Sequence, residues 1–478
     1  MNQNNSKYDK NNTTELPEVK STDQTGKELN KMGTMPVGRL MMSMSLPAMF
    51  SMIINAMYNI IDSIFIGMIG DGEAALAAVT LVFPIQMLMI SVGVGTGVGL
   101  NSLISRRLGE KNYLEANQAA SHGIVLSFFN WIIFAVFGLF FSSAFVRAFS
   151  ESPQIVKDGT SFCFIITVFS LFLLIQINIE KILQATGNMI LPMVSSLTGA
   201  IVNIVLNPIL ILGLFGAPQM GVAGSATATI IGQFLSMVLS LIFLFTLKLG
   251  VSIELRSFKI NWDILKNIYS VGLPSIVMQS IGSVMLVGLN AILIAFSEAA
   301  VAVLGIYFRL QSFIFMPVFG LTQGAMPIFG YNFGAKNKKR LVDAFAAALK
   351  IALIIMAAGL ILFQVFPIPM LKLFHATPEM IHIGVRALRL ISTCFLFAAF
   401  GIICSTLFQA TGHGTLSLYV SLLRQIILIL PLAWLLAHFA GLDYVWLSFP
   451  MAELFALTAS MFFLRKIYQK EIRNLEDK

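Results

Sequence analysis

The chain has 478 residues, of which 57% are hydrophobic and only 11% are charged. Soluble domains usually carry about 25% charged residues. A mean hydropathy of +0.84 therefore excludes an ordinary soluble globular protein. The formal net charge is +8, but the basic residues lie in short loops between apolar blocks, where they set membrane topology. This charge therefore does not indicate a nucleic-acid-binding protein.

Twelve apolar blocks divide the chain, and each is long enough for one membrane-spanning helix. A helix needs about 20 apolar residues to cross a hydrocarbon core about 30 Å thick, whereas a membrane β-barrel would show short alternating strands. The pattern predicts an all-α polytopic membrane protein with 12 transmembrane helices. The blocks lie at residues 39–66, 74–100, 117–142, 159–186, 190–214, 222–247, 264–296, 299–329, 341–366, 381–410, 415–438 and 444–467.

Loop charges orient these spans. Eleven Lys and Arg residues follow the second, sixth and eighth blocks, against three in the loops of the opposite side. The positive-inside rule then places both termini in the cytoplasm, in a multi-pass protein of the cell membrane. Residues 1–38 are polar and lack the apolar core of a signal peptide, so we expect a disordered cytoplasmic tail there. Residues 469–478 form a second cytoplasmic tail.

An internal repeat divides the chain in two. Leu183-Gln-Ala-Thr-Gly187 recurs as Phe408-Gln-Ala-Thr-Gly412, and Gly109-Glu-Lys-Asn112 recurs as Gly334-Ala-Lys-Asn337, each at an offset of 225. Six helices per half is an even number, so both halves enter the membrane from the same face. They are predicted to be parallel six-helix lobes around a central cleft. The predicted lobes are residues 39–247 and 264–468, and a cytoplasmic linker at 248–263 joins them.

Catalytic and cofactor motifs are absent from the sequence. There is no phosphate-binding Gly-rich loop ending in Lys and Ser or Thr, and no His or Cys pair has metal-ligand spacing. The glycines of the second block (Gly93, Gly95, Gly97 and Gly99) lack nucleotide-binding spacing and indicate close helix packing. We therefore expect neither an enzyme nor a protein with a resident metal or cofactor. Two lobes around a cleft favour an alternating-access transporter.

Asp62 is the clearest candidate for the coupling chemistry. It lies in the first apolar block with no basic residue within a helical turn, and an ionisable residue there costs on the order of 3 kcal/mol. Such a carboxyl group can exchange a proton for a cationic substrate. Its neighbours Met57, Tyr58 and Asn59 are predicted to contact substrate. The alternative is a hydrated carboxylate near the outer interface.

Other polar residues within spans complete the predicted site. Asn203 and Asn207 lie one turn apart in the fifth block and Thr229 lies in the sixth, so they can line a polar pocket opposite Asp62. Hydrogen bonding between helices alone would also explain them. In the fourth block, Asn178 is a candidate substrate ligand. Glu180 is either a second coupling acid or an ordinary ion-pair partner, although not of Lys181, because adjacent helical residues diverge.

The motifs resemble the multidrug and toxic compound extrusion (MATE) family, and most of all its bacterial MepA-type and DinF-type members. The resemblance covers about residues 36–468. It implies a monomer without a cofactor that exports lipophilic organic cations in exchange for H⁺ or Na⁺. The motifs are Met57-Tyr-Asn-Ile-Ile-Asp-Ser-Ile-Phe-Ile-Gly67, Ser105-Arg-Arg-Leu-Gly109, the two Gln-Ala-Thr-Gly sequences and Asn203-x-x-x-Asn207-Pro208.

The resemblance also assigns individual residues. The family's first-helix aspartate falls on Asp62, the proline associated with bending of that helix on Pro47, and the fifth-helix asparagine on Asn203. Many members carry an acid where this chain has Asn207, which moves the coupling role onto Asp62 and Glu180. The alternative function is a lipid-linked precursor flippase of the same superfamily. Such flippases commonly have fourteen helices and a basic cleft.

The predicted topology can be tested by cysteine-accessibility labelling. Cysteines introduced near Lys338 and Arg256 should react only after the membrane is permeabilised, and those near Asp71 and Thr377 should react in intact cells. External labelling at position 338 would contradict the helix count.

Overall fold

The structure, a computed structural model, describes residues 30–67, 69, 72–247, 250–254, 256 and 258–476, without the side chains of residues 56, 58–60 and 63. Among these residues it contains helices and no β-strand. Ten helical segments are long and apolar enough to cross a membrane, and two bent helix pairs bring the number to 12. The twelve predicted spans are confirmed.

The first half contains α1 (Lys31–Thr34), α2 (Val37–Gly67), α3 (Gly72–Gly109), α4 (Tyr113–Arg147), α5 (Pro153–Val168), α6 (Leu171–Ala185), α7 (Ile190–Leu212) and α8 (Val222–Thr246). The second half contains α9 (Trp262–Leu293), α10 (Glu298–Gly334), α11 (Lys338–Val365), α12 (Pro367–Lys372), α13 (Pro378–Ser392), α14 (Phe395–Ala410), α15 (Gly414–Leu422), α16 (Leu430–Phe439), α17 (Leu442–Val445) and α18 (Ser448–Ile467). A π-helical segment, Leu423–Ile429, joins α15 to α16, and a second, Tyr468–Ile472, follows α18.

The two halves repeat each other in backbone detail. The fourth span of each half is a bent pair, with 45° between α5 and α6 and 49° between α13 and α14. Lys111 and Lys336 adopt φ angles of 60° and 56°, and Gly187 and Gly412 adopt 91° and 92°. Each of these pairs is 225 residues apart. The duplication read from the sequence is therefore also present in loop geometry, although the bends themselves were not predicted.

Glycines bring the two lobes together. A Cβ atom on Gly99 of α3 would collide with the carbonyl oxygen of Ile268 in α9, and one on Gly109 would collide with that of Tyr331 in α10. Between α2 and α10, a Cβ atom on Gly324 would lie 2.6 Å from the hydroxyl oxygen of Ser45. The glycine-rich α3 therefore packs closely against neighbouring helices, as predicted, and the seam includes the end that carries the basic loops.

The N-terminal segment corrects one expectation. Within residues 30–38, which were predicted to belong to a disordered tail, α1 forms and Met32 is fully buried. Asn30 donates a hydrogen bond to the Thr186 carbonyl in the first lobe at 3.2 Å, and Arg340 of the second lobe donates to the Met32 carbonyl at 3.0 Å. The prediction is wrong for this stretch because its order depends on tertiary contacts rather than on an apolar pattern. Residues 1–29 lie outside the described part.

The connection between the lobes runs along α4. In the predicted linker 248–263, the Ser252 amide donates to Asn117 at 2.9 Å, and the Asn261 amide donates to His122 Nε2 at 2.9 Å. The end of the chain is docked in a similar way. Glu471 contacts His413 at 3.1 Å, where residues 469–478 were predicted to form a tail.

We expect Gly109→Ala to disturb the seam between the lobes, because its new methyl group meets backbone atoms of α10. Overpacking of this kind costs about 1–3 kcal/mol. Spin labels at Glu110 and Ala335 should report a wider distance distribution, and the thermal midpoint should fall. Gly305→Ala is the matched control, since nothing lies within 4 Å of its new Cβ atom. An unchanged distance in Gly109→Ala would contradict the close-packed seam.

Candidate functional site

Asp62 lies in the last turns of α2, partly buried against α7 and α8. Its Oδ1 accepts a hydrogen bond from Asn207 Nδ2 at 2.5 Å and another from Ser225 Oγ at 3.0 Å. No basic side chain forms an ion pair with it among the residues that the structure describes. The carboxyl group is therefore held by neutral donors, whether or not it carries a charge.

A chain of hydrogen bonds continues from Asp62 along α7. Asn207 Nδ2 also donates to Asn203 Oδ1 at 3.0 Å, and Asn203 Nδ2 donates to Thr229 Oγ1 at 3.0 Å. The Oδ1 atom of Asn207 is buried and has no hydrogen-bond partner among the described residues. The structure thus brings four of the five predicted coupling residues, Asp62, Asn203, Asn207 and Thr229, into one network.

The close approach of α7 and α8 makes this network possible. Gly199 and Gly232 face each other, and a Cβ atom on Gly199 would lie 2.9 Å from the Gly232 carbonyl oxygen. Larger residues would separate the helices and stretch the bond between Asn203 and Thr229. The glycines of α7 and α8 therefore allow the helices to approach closely enough for their polar residues to form the network.

Ser225 is a contact of Asp62 that sequence reasoning missed. Serine is common at helix interfaces in membranes, so its identity alone carried no signal. A signal was nevertheless present, because Ser225 lies four residues before Thr229 and so on the same face of α8. The Thr229 hydroxyl accepts a hydrogen bond from Asn203 of α7, and the Ser225 hydroxyl donates to Asp62 of α2.

A cavity of about 380 Å³ adjoins the network. It lies within the first lobe, between α2, α3, α6, α7 and α8, and Gln323 of α10 contributes to its wall from the second lobe. Asn203 and Thr229 belong to both the network and the cavity wall. The cavity is therefore linked to Asp62 by consecutive hydrogen bonds.

Glu180 and Lys181, which are neighbours on α6, both line the cavity. Glu180 Oε1 accepts from Gln176 at 3.1 Å, whereas Lys181 Nζ donates to Gln184 at 3.0 Å and to Gln323 at 3.1 Å. Neither residue forms an ion pair among the described residues. The interpretation of Glu180 as an ordinary ion-pair partner is therefore not supported, and its carboxylate lies at the cavity rather than in the Asp62 network.

The structure places the predicted substrate residues differently. Asn178 is fully buried and donates to Ser127 Oγ at 2.6 Å and to the Gly123 carbonyl at 3.2 Å, on α4. It does not line the cavity, because it projects from a different face of α6. The described contacts are structural ones, and its role as a substrate ligand stays a prediction. Met57 is 54% exposed and also lies outside the cavity wall. The side chains of Tyr58 and Asn59 lie outside the described part.

Pro47 lies inside α2, where a proline weakens the helix. Proline has no N–H group, so it cannot donate the usual hydrogen bond to the preceding turn. Its own carbonyl oxygen accepts the hydroxyl of Ser51 at 3.1 Å. The role of Pro47 in bending stays a prediction.

The second lobe has different polar chemistry. The residues 225 positions after Asn203 and Asn207 are Leu428 and Leu432. The second lobe instead holds an ion pair between Arg424 and Glu453 at 3.4 Å. The described hydrogen-bond network around Asp62 is therefore confined to the first lobe.

Comparison with known proteins agrees with this architecture. The MatE family model matches residues 47–209 and 274–435, one segment in each half. The chain is 27% identical over 424 residues to the multidrug export protein MepA of Staphylococcus haemolyticus, covering 89% of this chain and 92% of that protein. MepA of Staphylococcus aureus is 26% identical over 432 residues, with coverage of 89% and 93%.

Solved structures show the same fold. An outward-facing multidrug resistance MATE transporter of the MOP superfamily matches with a TM-score of 0.87 and 26% identity, covering 95% of this chain and 100% of that one. A MOP-superfamily transporter from Pyrococcus furiosus, described as having a binding pocket of reverse polarity, matches with a TM-score of 0.86 at the same identity and coverage. Both halves match the family model, and the fold is that of its solved transporters. The chain therefore belongs to the MatE family and is a membrane transporter rather than an enzyme.

Proposed function

We propose that the protein is a secondary antiporter that exports lipophilic organic cations in exchange for H⁺ or Na⁺ by alternating access. It would act in the cell membrane, with both termini in the cytoplasm. The observation that carries the proposal is the hydrogen-bond chain from Asp62 through Asn207 and Asn203 to Thr229 at the cavity wall. The staphylococcal relatives are named multidrug export proteins, and this name supports the choice of substrate class.

Protonation of Asp62 would change the network that reaches the cavity. As a carboxylate, Asp62 only accepts hydrogen bonds, here from Asn207 and Ser225. A protonated carboxyl group also carries a donor. The Asn207 amide would accept this donor by turning its oxygen, which has no partner among the described residues, toward Asp62. Through Asn203 this change reaches the cavity wall. Coupling thus follows from a rearrangement of neutral side chains between the ion site and the cavity.

Binding of an organic cation would draw on acceptors that α6 contributes to the cavity wall. The Glu180 carboxylate lies there, and Gln176 Oε1 is buried without a hydrogen-bond partner among the described residues. Met189 and Met193 line the same space, and the flexible thioether of Met adapts to ligands of different shape. A volume of about 380 Å³ is within the range for drug-sized ligands.

Both coupling ions remain compatible with the Asp62 network. A proton needs only the carboxyl group. A sodium ion needs several oxygen ligands, and the Asp62 carboxylate, the unpartnered Asn207 Oδ1 and Ser225 Oγ are close enough to contribute to one set. The flippase alternative would require a strongly basic cavity for a pyrophosphate, whereas this wall carries one acidic and one basic side chain.

Replacement of Asp62 tests the coupling role. Asp62→Asn keeps size and hydrogen bonding but cannot titrate, so the variant should insert and fold but no longer accumulate a fluorescent cation in inverted vesicles under a pH or Na⁺ gradient. Asp62→Glu should retain partial activity, because it titrates in a similar range but is one methylene longer. Asp343→Asn, on the exposed face of α11, is the matched control.

Drug affinity should also depend on pH. Because a proton on Asp62 and the cationic drug compete, wild-type affinity should fall as the pH is lowered, whereas Asp62→Asn should show a weaker pH dependence that comes from Glu180 alone. Gradient-driven transport that survives in Asp62→Asn would reject this coupling role and transfer it to Glu180.

Asn207→Asp tests whether a second carboxylate changes the coupling ion. The new acid would stand within hydrogen-bonding distance of Asp62, and two adjacent carboxylates attract a metal cation more strongly than one. We expect stronger Na⁺ dependence of transport in vesicles, and a lower thermal midpoint without Na⁺, because the variant loses the two hydrogen bonds that Asn207 Nδ2 donates. Identical ion dependence in wild type and variant would mean that Asp62 suffices, or that Glu180 already supplies the second charge.

A further inference from the structure

Lys181 is a buried ammonium group that the coupling scheme does not use. It retains 8% of its exposure, and its Nζ donates to two neutral amide oxygens, those of Gln184 and Gln323. A buried lysine is normally paired with a carboxylate, because an uncompensated charge is costly to desolvate. No described carboxylate lies within ion-pair distance of this ammonium.

We propose that Lys181 is an anion subsite of the cavity. The preferred substrates of the protein are then zwitterions that carry a cationic centre and a carboxylate. The inference rests on the proposed export function and refines its substrate class. The cationic centre would lie against Glu180 and Gln176, and the substrate carboxylate against Lys181. Each charge of the ligand would then lie against a wall residue of opposite charge that has only neutral hydrogen-bond partners in the described part of the protein.

The arrangement of α6 separates the two subsites. Gln176 and Glu180 are four residues apart and form one pair, whereas Lys181 and Gln184 are three apart and form another. Adjacent helical residues diverge by about 100°, so Glu180 and Lys181 present opposite charges at two points of the wall. A ligand can bridge these points without an ion pair having to be broken first.

The ammonium group is held in place and has bonding capacity left. An ammonium has three N–H donors, and two of them are occupied by Gln184 and Gln323. The stem of Lys181 fits against Gly97, where a Cβ atom would lie 2.6 Å from its Cγ. Its backbone carbonyl accepts from Asn101 at 3.4 Å. A group held in this way is preorganised, so little entropy is lost when a ligand binds.

The charge of Lys181 also predicts discrimination. In a cavity of low dielectric constant, an ammonium attracts a ligand carboxylate and repels a ligand that carries only positive charge. A zwitterion should therefore bind more tightly than the same molecule with its carboxylate esterified. The first-lobe wall would then select against simple cations of equal size.

Tetramethylrhodamine, which is zwitterionic, and its cationic methyl ester form a suitable pair of fluorescent probes. Their binding to the purified full-length protein can be measured by fluorescence anisotropy. Wild type should bind the zwitterion about tenfold more tightly than the ester. Lys181→Gln should weaken zwitterion binding about tenfold, as expected for the loss of one hydrogen bond to a charged group, and leave ester binding equal or stronger. Lys181→Arg should retain the preference.

Control measurements distinguish a lost anion subsite from a misfolded protein. Ester binding in Lys181→Gln shows that the variant is folded, and Lys350→Gln, an exposed change on α11, should affect neither probe. The inference is overturned if Lys181→Gln changes both probes equally, or if wild type prefers the ester. Failure of the proposed export function gives a different result from failure of the anion subsite. In that case wild-type vesicles would transport neither probe under a pH or Na⁺ gradient.

Discussion

The free-energy cost of burying charge in a membrane protein is the constraint on which this site depends. Asp62, Glu180 and Lys181 all lie within spans, and none is neutralised by an ion pair among the described residues. Neutral groups hold each of them instead. Asp62 accepts from Asn207 and Ser225, and Glu180 accepts from Gln176. Lys181 donates to Gln184 and Gln323. Neutral partners leave a charge available to an ion or a ligand, whereas a salt bridge would have to be broken first.

Gene duplication supplied a scaffold whose halves then acquired different chemistry. The loops at Lys111 and Lys336 and the bends within the fourth spans are nearly identical. The first lobe nevertheless carries the Asp62 network, while the positions equivalent to Asn203 and Asn207 carry leucine in the second lobe, with the Arg424–Glu453 pair elsewhere. The two lobes are therefore alike in backbone but unequal in the polar side chains that they carry within the membrane.

Contacts between the lobes connect the cavity to the overall conformation. Lys181 of the first lobe donates to Gln323 of the second at 3.1 Å, directly at the cavity wall. Ser102 donates to the Gln409 carbonyl at 2.6 Å further along the same seam. Relative motion of the lobes must break such bonds, so the occupancy of the cavity and the closure of the seam affect the same groups.

Sequence alone determined the features that depend on hydrophobicity and repetition, because span length, loop charge and the 225-residue offset are local or periodic properties. It also identified Asp62, Asn203, Asn207 and Thr229, since polar residues within apolar spans are conspicuous. Only the tertiary structure turned Asn178 toward α4, added Ser225 to the network and ordered the segment around Met32. Those outcomes depend on which face of a helix meets which neighbour, and that is set by the packing of helices distant in sequence.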